Sequence, residues 1–265
     1  MKNFLGTVNL MAKRILLIVE GESDEVKFLR QLFKKCYSSM EYEFVSYRSN
    51  IHVLAQELYN NYPEFEEDNI DIKLILSSLI EDEHRKAVLQ EKYTDVYMIF
   101  DFEPQHDTPH FDTLRRMLKY FNDSTYQGKL YLNYPMMQSY KHFTELPDKY
   151  FYDKIVKLED VSVYKKLVGE ESNFKDITKY NYSIFFSLTV HHIKKAFYIL
   201  NNSYELPTEE QYISMDLASL FDKQLELLKA VNKIWVVNTC IFALSDFAPK
   251  KFFNFVVRHS DELLI

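Results

Sequence analysis

Two short apolar runs stand out along the chain, and each of them ends in acidic residues. The first, residues 15–19, is uninterrupted and rich in β-branched side chains, which is typical of a strand buried on both faces of a parallel sheet. Apolar positions at helical spacing follow it over residues 26–36. The second run covers residues 95–103 and ends in Asp101 and Glu103. The pattern therefore predicts two buried strands, the first followed directly by a helix.

The rest of the first half alternates between predicted strands and helices. After residue 36 the pattern indicates a strand at 43–47, a helix at 51–59, a helical pair within 72–91, a helix beginning at Thr108 and Pro109, and a strand at 130–134. Strands that alternate with helices favour a parallel sheet with right-handed crossovers. We therefore predict an α/β domain at residues 13–143, in which helices flank a parallel sheet.

Residues 144–265 have a different pattern, in which helical spacing dominates. Helices are predicted over 161–168, 184–200 and 209–231, and Thr208 followed by two glutamates marks the start of the last one. Residues 234–237 fit either a strand or a buried helix, and we favour the helix. The pairs His191-His192 and Lys194-Lys195 lie on one predicted helix; we expect one histidine to face solvent, and the lysines to lie on a solvated surface. This part is predicted to be a mainly helical region.

The acidic residues at the strand ends are the first candidates for chemistry. Glu20 follows the first strand, and Asp101 and Glu103 end the second. Residues two apart on an extended backbone face the same side, and open α/β sheets bind ligands at the carboxyl ends of their strands. If the two strands are neighbours, the three carboxylates converge and repel one another. A hard divalent cation relieves such repulsion, so the sequence predicts a site for Mg²⁺ or Mn²⁺.

These residues also form a recognisable pair of motifs. A strand followed by Glu20-Gly21-x-x-Asp24 and a helix, and a later strand ending in Asp101-Phe102-Glu103, resembles the Toprim family. That domain occurs in topoisomerases, bacterial primases and OLD-type nucleases. The resemblance covers residues 13–143. It implies that Glu20 is an acid/base group or metal ligand, that Asp101 and Glu103 bind metal, and that Asp24, the acidic residue closing the first motif, is a further metal ligand.

The resemblance further implies an activity and partners. The expected activity is Mg²⁺-dependent cleavage of RNA or DNA, and small OLD-type proteins include effectors of anti-phage defence held by a separate ABC-type ATPase. Members of that type carry an acidic residue and a lysine in the region of residues 134–141; here Lys141 supplies the lysine, whereas Gln138 stands where a glutamate would help to hold a second metal. The alternative is a non-catalytic Toprim module that serves interaction. A homodimer is left open.

Composition limits the partners, the mode of substrate binding and the compartment that are expected. The chain has 265 residues, a net charge of −7 and no Gly-x-x-x-x-Gly-Lys motif, so any ATPase is expected to be a separate protein. The negative charge argues against binding nucleic acid by bulk electrostatics and favours a narrowly specified or delivered substrate. Cys36 and Cys240 are expected to be small core residues in a reducing cytoplasm. No membrane span is predicted. His106 and His110, near the acidic turn, are expected either to be surface residues or to contact substrate phosphate.

Overall fold

A mostly parallel sheet forms the centre of the first half of the chain. The computed structural model describes residues 13–37 and 40–263, and within them this sheet has five strands in the order β2-β1-β3-β5-β4. The strands are β1 (Arg14–Val19), β2 (Glu41–Ser46), β3 (Asp95–Asp101), β4 (Asn122–Asp123) and β5 (Gly128–Asn133). The pairs β1–β2, β1–β3 and β3–β5 are parallel, and the two-residue β4 is antiparallel to β5. The predicted α/β class is confirmed.

The register of the sheet brings the strand ends together at one edge. Val19 at the end of β1 pairs with Ile99 of β3, and Asp101 at the end of β3 pairs with Asn133 at the end of β5. Residues 15–19 are fully buried, as expected for an interior strand of a sheet covered on both faces. The segments that leave β1 and β3 therefore meet at the same carboxyl edge.

Helices connect these strands. They are α1 (Asp24–Cys36), α2 (Ile51–Asn61), α3 (Ile72–Leu79), α4 (Glu83–Gln90) and α5 (Phe111–Tyr120). The predicted helical pair is confirmed as α3 and α4. The predicted start of α5 at Thr108 and Pro109 is wrong, because His110 occupies the N-cap position. The Thr108 backbone N–H donates to His106 Nδ1 at 3.3 Å, so this segment belongs to the turn that leaves the sheet.

The second half is mainly helical, as predicted, and it begins with a short 3₁₀ helix. The 3₁₀ segments are Met137–Lys141, Phe151–Asp153, Leu158–Val163, Ile177–Lys179 and Cys240–Phe242; the other elements are β6 (Ile155–Lys157), α6 (Tyr164–Glu171), α7 (Tyr182–Asn201), α8 (Glu209–Ile213), α9 (Leu217–Val231), β7 (Lys233–Trp235), α10 (Ala243–Asp246) and α11 (Pro249–Arg258). Thr208 and Gln211 form a capping box at the start of α8, which confirms the predicted helix start. The single helix predicted over 209–231 is wrong, because residues 214–216 separate α8 from α9.

The helix predicted for residues 234–237 is wrong. Lys233–Trp235 is a strand, β7, which pairs antiparallel with β6. The side chain of Gln224 also binds the Trp235 backbone, accepting from its N–H at 2.9 Å and donating to its C=O at 3.0 Å. Both β6 and Gln224 lie outside residues 233–235. The hydrogen bonds that make this segment a strand are therefore not visible in its own hydrophobic pattern.

The helical half packs directly on the sheet. Tyr134, just after β5, forms a two-bond bridge with Val237, and a single hydrophobic cluster contains residues from both halves. His191, His192 and Lys195 on α7 are all buried, so the expectations of one solvent-facing histidine and a solvated lysine pair are wrong. The reason is that α7 is enclosed on more sides than its sequence pattern indicates. Among the described helices, none is both long and apolar enough to cross a bilayer.

Candidate metal centre

Glu20 lies at the carboxyl edge of the sheet, held by both neighbours of β1. Its backbone N–H donates to Ile99 C=O at 3.2 Å, and its C=O accepts from Arg48 N–H at 3.0 Å. The side chain then reaches β3, where Oε2 accepts a hydrogen bond from the backbone N–H of Asp101 at 3.1 Å. Adjacent parallel strands of matched length thus bring the first two predicted site residues together.

Asp101 is positioned by a second strand and by the helical half. The Asn133 Nδ2 group donates to Asp101 Oδ1 at 3.4 Å, and the backbone N–H of Met137 also hydrogen-bonds the carboxylate. Asn133 is fully buried, and its Oδ1 accepts from the backbone N–H of Cys240 at 3.2 Å. A residue from the far end of the chain therefore helps to orient the amide that contacts Asp101.

The backbone conformation at Glu103 differs from the extended one that was expected. Strand β3 ends at Asp101, and Glu103 has a φ of +42°, in the left-handed region that non-glycine residues seldom adopt. Glu103 therefore does not continue the extended backbone from which its position was predicted. Its C=O accepts from His52 Nε2 and from His106 N–H, both at 3.1 Å, which stabilises the turn. The charge of Glu103 still acts on Glu20.

The carboxylates are buried to different extents, and burial raises the pKa of each of them. Burial raises the pKa of Glu20 to about 8 against the opposing hydrogen bond from the Asp101 N–H, and the charges of Glu103 and Glu25 add to the rise. Burial, followed by the charges of Glu20 and Glu25, also holds the pKa of Asp101 well above its usual range. The pKa of Glu103 is raised, chiefly by burial. A bound cation would favour the charged forms of all these groups.

Glu25 is a member of this cluster that was not predicted from the sequence. It lies in the first turn of α1, where a carboxylate also suits the helix dipole, but it is only 9% exposed. Burial raises its pKa, and the neighbouring charge of Asp24 raises it further. The sequence did contain a signal: Glu25 precedes the buried Phe28 and Leu29 by three and four residues, which places it on the apolar face of the helix.

Asp24 is part of a different set of contacts. Its Oδ2 accepts hydrogen bonds from Gln138 Nε2 at 2.8 Å and from Lys165 Nζ at 2.7 Å. Burial by itself would raise the pKa of Asp24, but the hydrogen bond and charge of Lys165 outweigh it and leave the pKa below its ordinary value. Gln138 therefore bonds to an acidic residue of the first motif. Lys165, on α6, was not singled out by the sequence.

Lysine residues form a basic side to the site. Lys141, at the end of the 3₁₀ segment, is partly buried, and burial is the main cause that lowers its pKa. The charges of Lys165 and Lys27 lower it further, so the three ammonium groups are neighbours. Among the described residues Lys141 forms no direct ion pair, although Asp24 is close enough for its charge to raise the pKa of Lys141. It is thus available to an anionic ligand.

The two loop histidines have protein partners. His106 stacks on the buried ring of His52 with centroids 4.7 Å apart, and His110 Nε2 lies 2.6 Å from Gln56 Oε1. His106 is the nearer of the two to the acidic cluster in electrostatic terms, since its charge lowers the pKa of Glu103. Neither histidine is placed with Glu20 and Asp101 by a hydrogen bond.

The chemistry of the donor set suits a hard divalent cation, because it consists of clustered carboxylates. In the part of the chain that the structure describes, however, no three His, Cys, Asp or Glu side chains are arranged as ligands of one ion. Glu20 instead directs one oxygen to the Asp101 amide. Coordination therefore requires rotation of carboxylate side chains around a backbone that is already in place.

Comparison of the chain with models of protein families, with curated proteins and with solved structures finds no match. The resemblance to the Toprim family consequently rests on the two motifs.

Proposed function

We propose that this protein is a nuclease that uses Mg²⁺ or Mn²⁺ to cleave phosphodiester bonds in RNA or DNA. The observation that carries the proposal is the convergence of Glu20 and Asp101, from two adjacent parallel strands, at the carboxyl edge of the sheet. Glu103 adds a third negative charge there. Lys27, Lys141 and Lys165 border the cluster, so cation-binding and phosphate-binding groups lie side by side.

The residues divide into distinct roles in this proposal. Asp101 and Glu103 are assigned as ligands of the cation, which when bound polarises the scissile phosphate and stabilises the leaving oxygen. Glu20 is assigned to proton transfer, since burial raises its pKa to about 8 in the metal-free protein and its position beside Asp101 places it at the site. Lys141 is assigned to a substrate phosphate, because its partly buried ammonium lies near Asp24 but forms no direct ion pair among the described residues.

The substrate is proposed to be delivered by another protein. With a net charge of −7 the chain gains little from non-specific attraction to a polyanion. An ABC-type ATPase encoded separately, as in anti-phage defence systems with small OLD-type effectors, is the proposed partner. The nuclease would then act when that partner presents nucleic acid to the carboxyl edge of the sheet.

The experiment is a cleavage assay on labelled single- and double-stranded RNA and DNA, with Mg²⁺, Mn²⁺ or a chelator. Glu20→Ala and Asp101→Asn are expected to reduce cleavage by about 100-fold or more, because metal positioning contributes several kcal/mol to the transition state. Glu22→Ala is the matched control, since Glu22 is exposed on the same turn and pairs with Arg48. A fully active Glu20→Ala protein would remove Glu20 from the mechanism.

A non-catalytic interaction module is the second candidate. It is favoured by the contacts of Asp24, whose carboxylate is held by Gln138 and Lys165. The same assay separates the two functions when it is combined with metal titration. A wild-type protein that binds Mn²⁺ but leaves every nucleic acid intact, alone and with its partner ATPase, would favour the module over the nuclease.

A further inference from the structure

Glu25 and Asp24 are adjacent in the first turn of α1, yet they have opposite environments. The Asp24 side chain is 42% exposed and receives hydrogen bonds from Gln138 and Lys165. Glu25 is 9% exposed, and apart from its own backbone N–H no described residue donates a hydrogen bond to its carboxylate. A carboxylate buried without donors is unfavourable unless a cation accompanies it.

The Glu25 carboxylate is directed back toward the turn after β1. A Cβ atom placed on Gly21 would lie 3.0 Å from Glu25 Oε2, a contact that requires the carboxylate to shift slightly, and 3.6 Å from Oε1, an ordinary van der Waals contact. Gly21 does not have a positive φ, so backbone conformation does not require glycine here. The close approach of the Glu25 carboxylate favours glycine instead, because any side chain at this position would displace that carboxylate.

The same carboxylate lies beside the backbone of the residue that directly follows Glu20. Its charge raises the pKa of both Glu20 and Asp101, which places the three groups in one electrostatic cluster. Asp24 is not among the groups that perturb either of them. The first turn of α1 therefore directs one carboxylate to the cluster and the other to the basic side.

We infer that Glu25, rather than Asp24, is the ligand that helix α1 contributes to the divalent cation, and that Gly21 is glycine because the Glu25 carboxylate has to pass over it. This inference rests on the proposed function, since it concerns the same cation. It assigns Asp24 a different role, which is to hold Lys165 and Gln138 beside the site.

The first test measures metal binding directly on the metal-free protein. Isothermal titration with Mn²⁺ alone, without nucleic acid, compares wild type with Glu25→Gln and Asp24→Asn. Glu25→Gln is expected to weaken binding about tenfold or more, because even residues that only orient metal ligands contribute roughly 10–100-fold. Asp24→Asn, the matched neutralisation one residue away, is expected to stay within about threefold of wild type on the same scale.

The reverse ranking, or equal Mn²⁺ affinity in wild type and Glu25→Gln, overturns the inference while leaving the proposed nuclease intact. A wild-type protein that binds no Mn²⁺ or Mg²⁺ overturns the proposed function as well. The two failures are therefore distinguishable by the wild-type titration alone.

The second test displaces the carboxylate without removing its charge. Gly21→Ala introduces a methyl group that the end of a flexible side chain can avoid, so the protein is expected to fold. Its Mn²⁺ affinity should fall about as far as that of Glu25→Gln, and the double variant should lose little more, because both changes remove one interaction. Gly169→Ala is the control, since a Cβ there meets nothing within 4 Å. Wild-type affinity in Gly21→Ala would contradict the inference.

Discussion

The backbone N–H of Asp101 donates a hydrogen bond to Glu20 Oε2 at 3.1 Å, so the last residue of β3 is bonded to the first residue after β1. This bond holds the Glu20 carboxylate beside the backbone of Asp101, whose own carboxylate repels it. It also occupies one Glu20 oxygen with a donor that cannot leave, because the donor is backbone. The charge of the Glu20 and Asp101 carboxylates can therefore be neutralised either by protonation or by a bound cation. The pH and the concentration of divalent cations should determine which of the two occurs.

Neutralising Glu20 is expected to stabilise the metal-free protein at alkaline pH. Because folding raises the pKa of Glu20 from 4.5 to about 8, its contribution to stability is complete below the lower value and is lost as pH rises through the higher one. Glu20→Gln keeps an acceptor for Asp101 N–H but removes the charge. In the presence of a chelator at about pH 9, its melting temperature should exceed that of wild type by several degrees. For a protein of this size, each kcal/mol of added stability raises the melting temperature by about 2–4 °C.

The advantage of Glu20→Gln should disappear toward pH 4.5, where both side chains are neutral in the folded state and the wild-type glutamate is half-protonated in the unfolded state. Glu22→Gln, at an exposed position, is the control and should show no such pH-dependent gap. A pH-independent difference between Glu20→Gln and wild type would show that folding does not raise the pKa of Glu20.

Divalent cations are expected to stabilise the wild-type protein by binding only the folded state. A cation at a hundredfold excess over its dissociation constant adds about 2.7 kcal/mol to the free energy of unfolding. Asp101→Asn should abolish most of this gain in a thermal melt with Mg²⁺ or Mn²⁺. An undiminished shift in the variant would place the cation elsewhere in the protein.

Asn133→Ala is expected to destabilise the protein and disturb Asp101 together. The change removes a donor to Asp101 and leaves the buried N–H of Cys240 without its acceptor. Such an unsatisfied group costs about 1–3 kcal/mol, to which a small cavity adds. Urea denaturation should show this loss, whereas Asn201→Ala, at the exposed end of α7, should change stability by less than about 0.5 kcal/mol.

Lys195→Met is expected to stabilise the protein at neutral pH. Lys195 is fully buried, donates to Lys154 C=O and lies 4.6 Å from the Phe151 ring centroid; burial holds its pKa well below 10.5. A lysine whose pKa falls on folding contributes stability that is present above the unfolded value and is lost as pH decreases. Methionine fills a similar volume without this cost.

The stability gap between Lys195→Met and wild type should therefore be larger at about pH 7 than at about pH 10, measured by thermal melts at both. Lys166→Met, on the exposed side of α6, provides the comparison. A variant that loses stability at pH 7 would mean that the hydrogen bond and ring contacts of Lys195 outweigh its burial.

Much of the first half could be predicted from sequence, because its elements are encoded by local periodicity. Residues 15–19 could only be a buried strand, and the spacing after them indicated α1; the helical pair α3 and α4 was recognisable for the same reason. Acidic residues directly after two such strands pointed to Glu20 and Asp101 as site candidates. The hypothesis required these two strands to be neighbours. Only the strand order of the sheet in the structure shows that they are.

Contacts between distant residues decided the features that only the tertiary structure reveals. β7 is a strand because β6, about 80 residues earlier, supplies its hydrogen bonds. Lys195 is buried because α7 is covered by elements from both halves, which no amphipathic pattern records. Glu103 adopts a positive φ because His52 and His106 stabilise its turn.

The different environments of Asp24 and Glu25 in the first turn of α1 are the clearest example of a feature that only the tertiary structure decides. The sequence determined that Gly21, Asp24 and Glu25 come directly after a buried strand, and it therefore determined that carboxylates lie near the edge of the sheet. It could not determine which carboxylate enters the cluster, because that depends on Lys165 and Gln138, more than 100 residues away, which hold Asp24. Local spacing sets the strand and the helix, whereas long-range hydrogen bonds and burial set the environment of each charge.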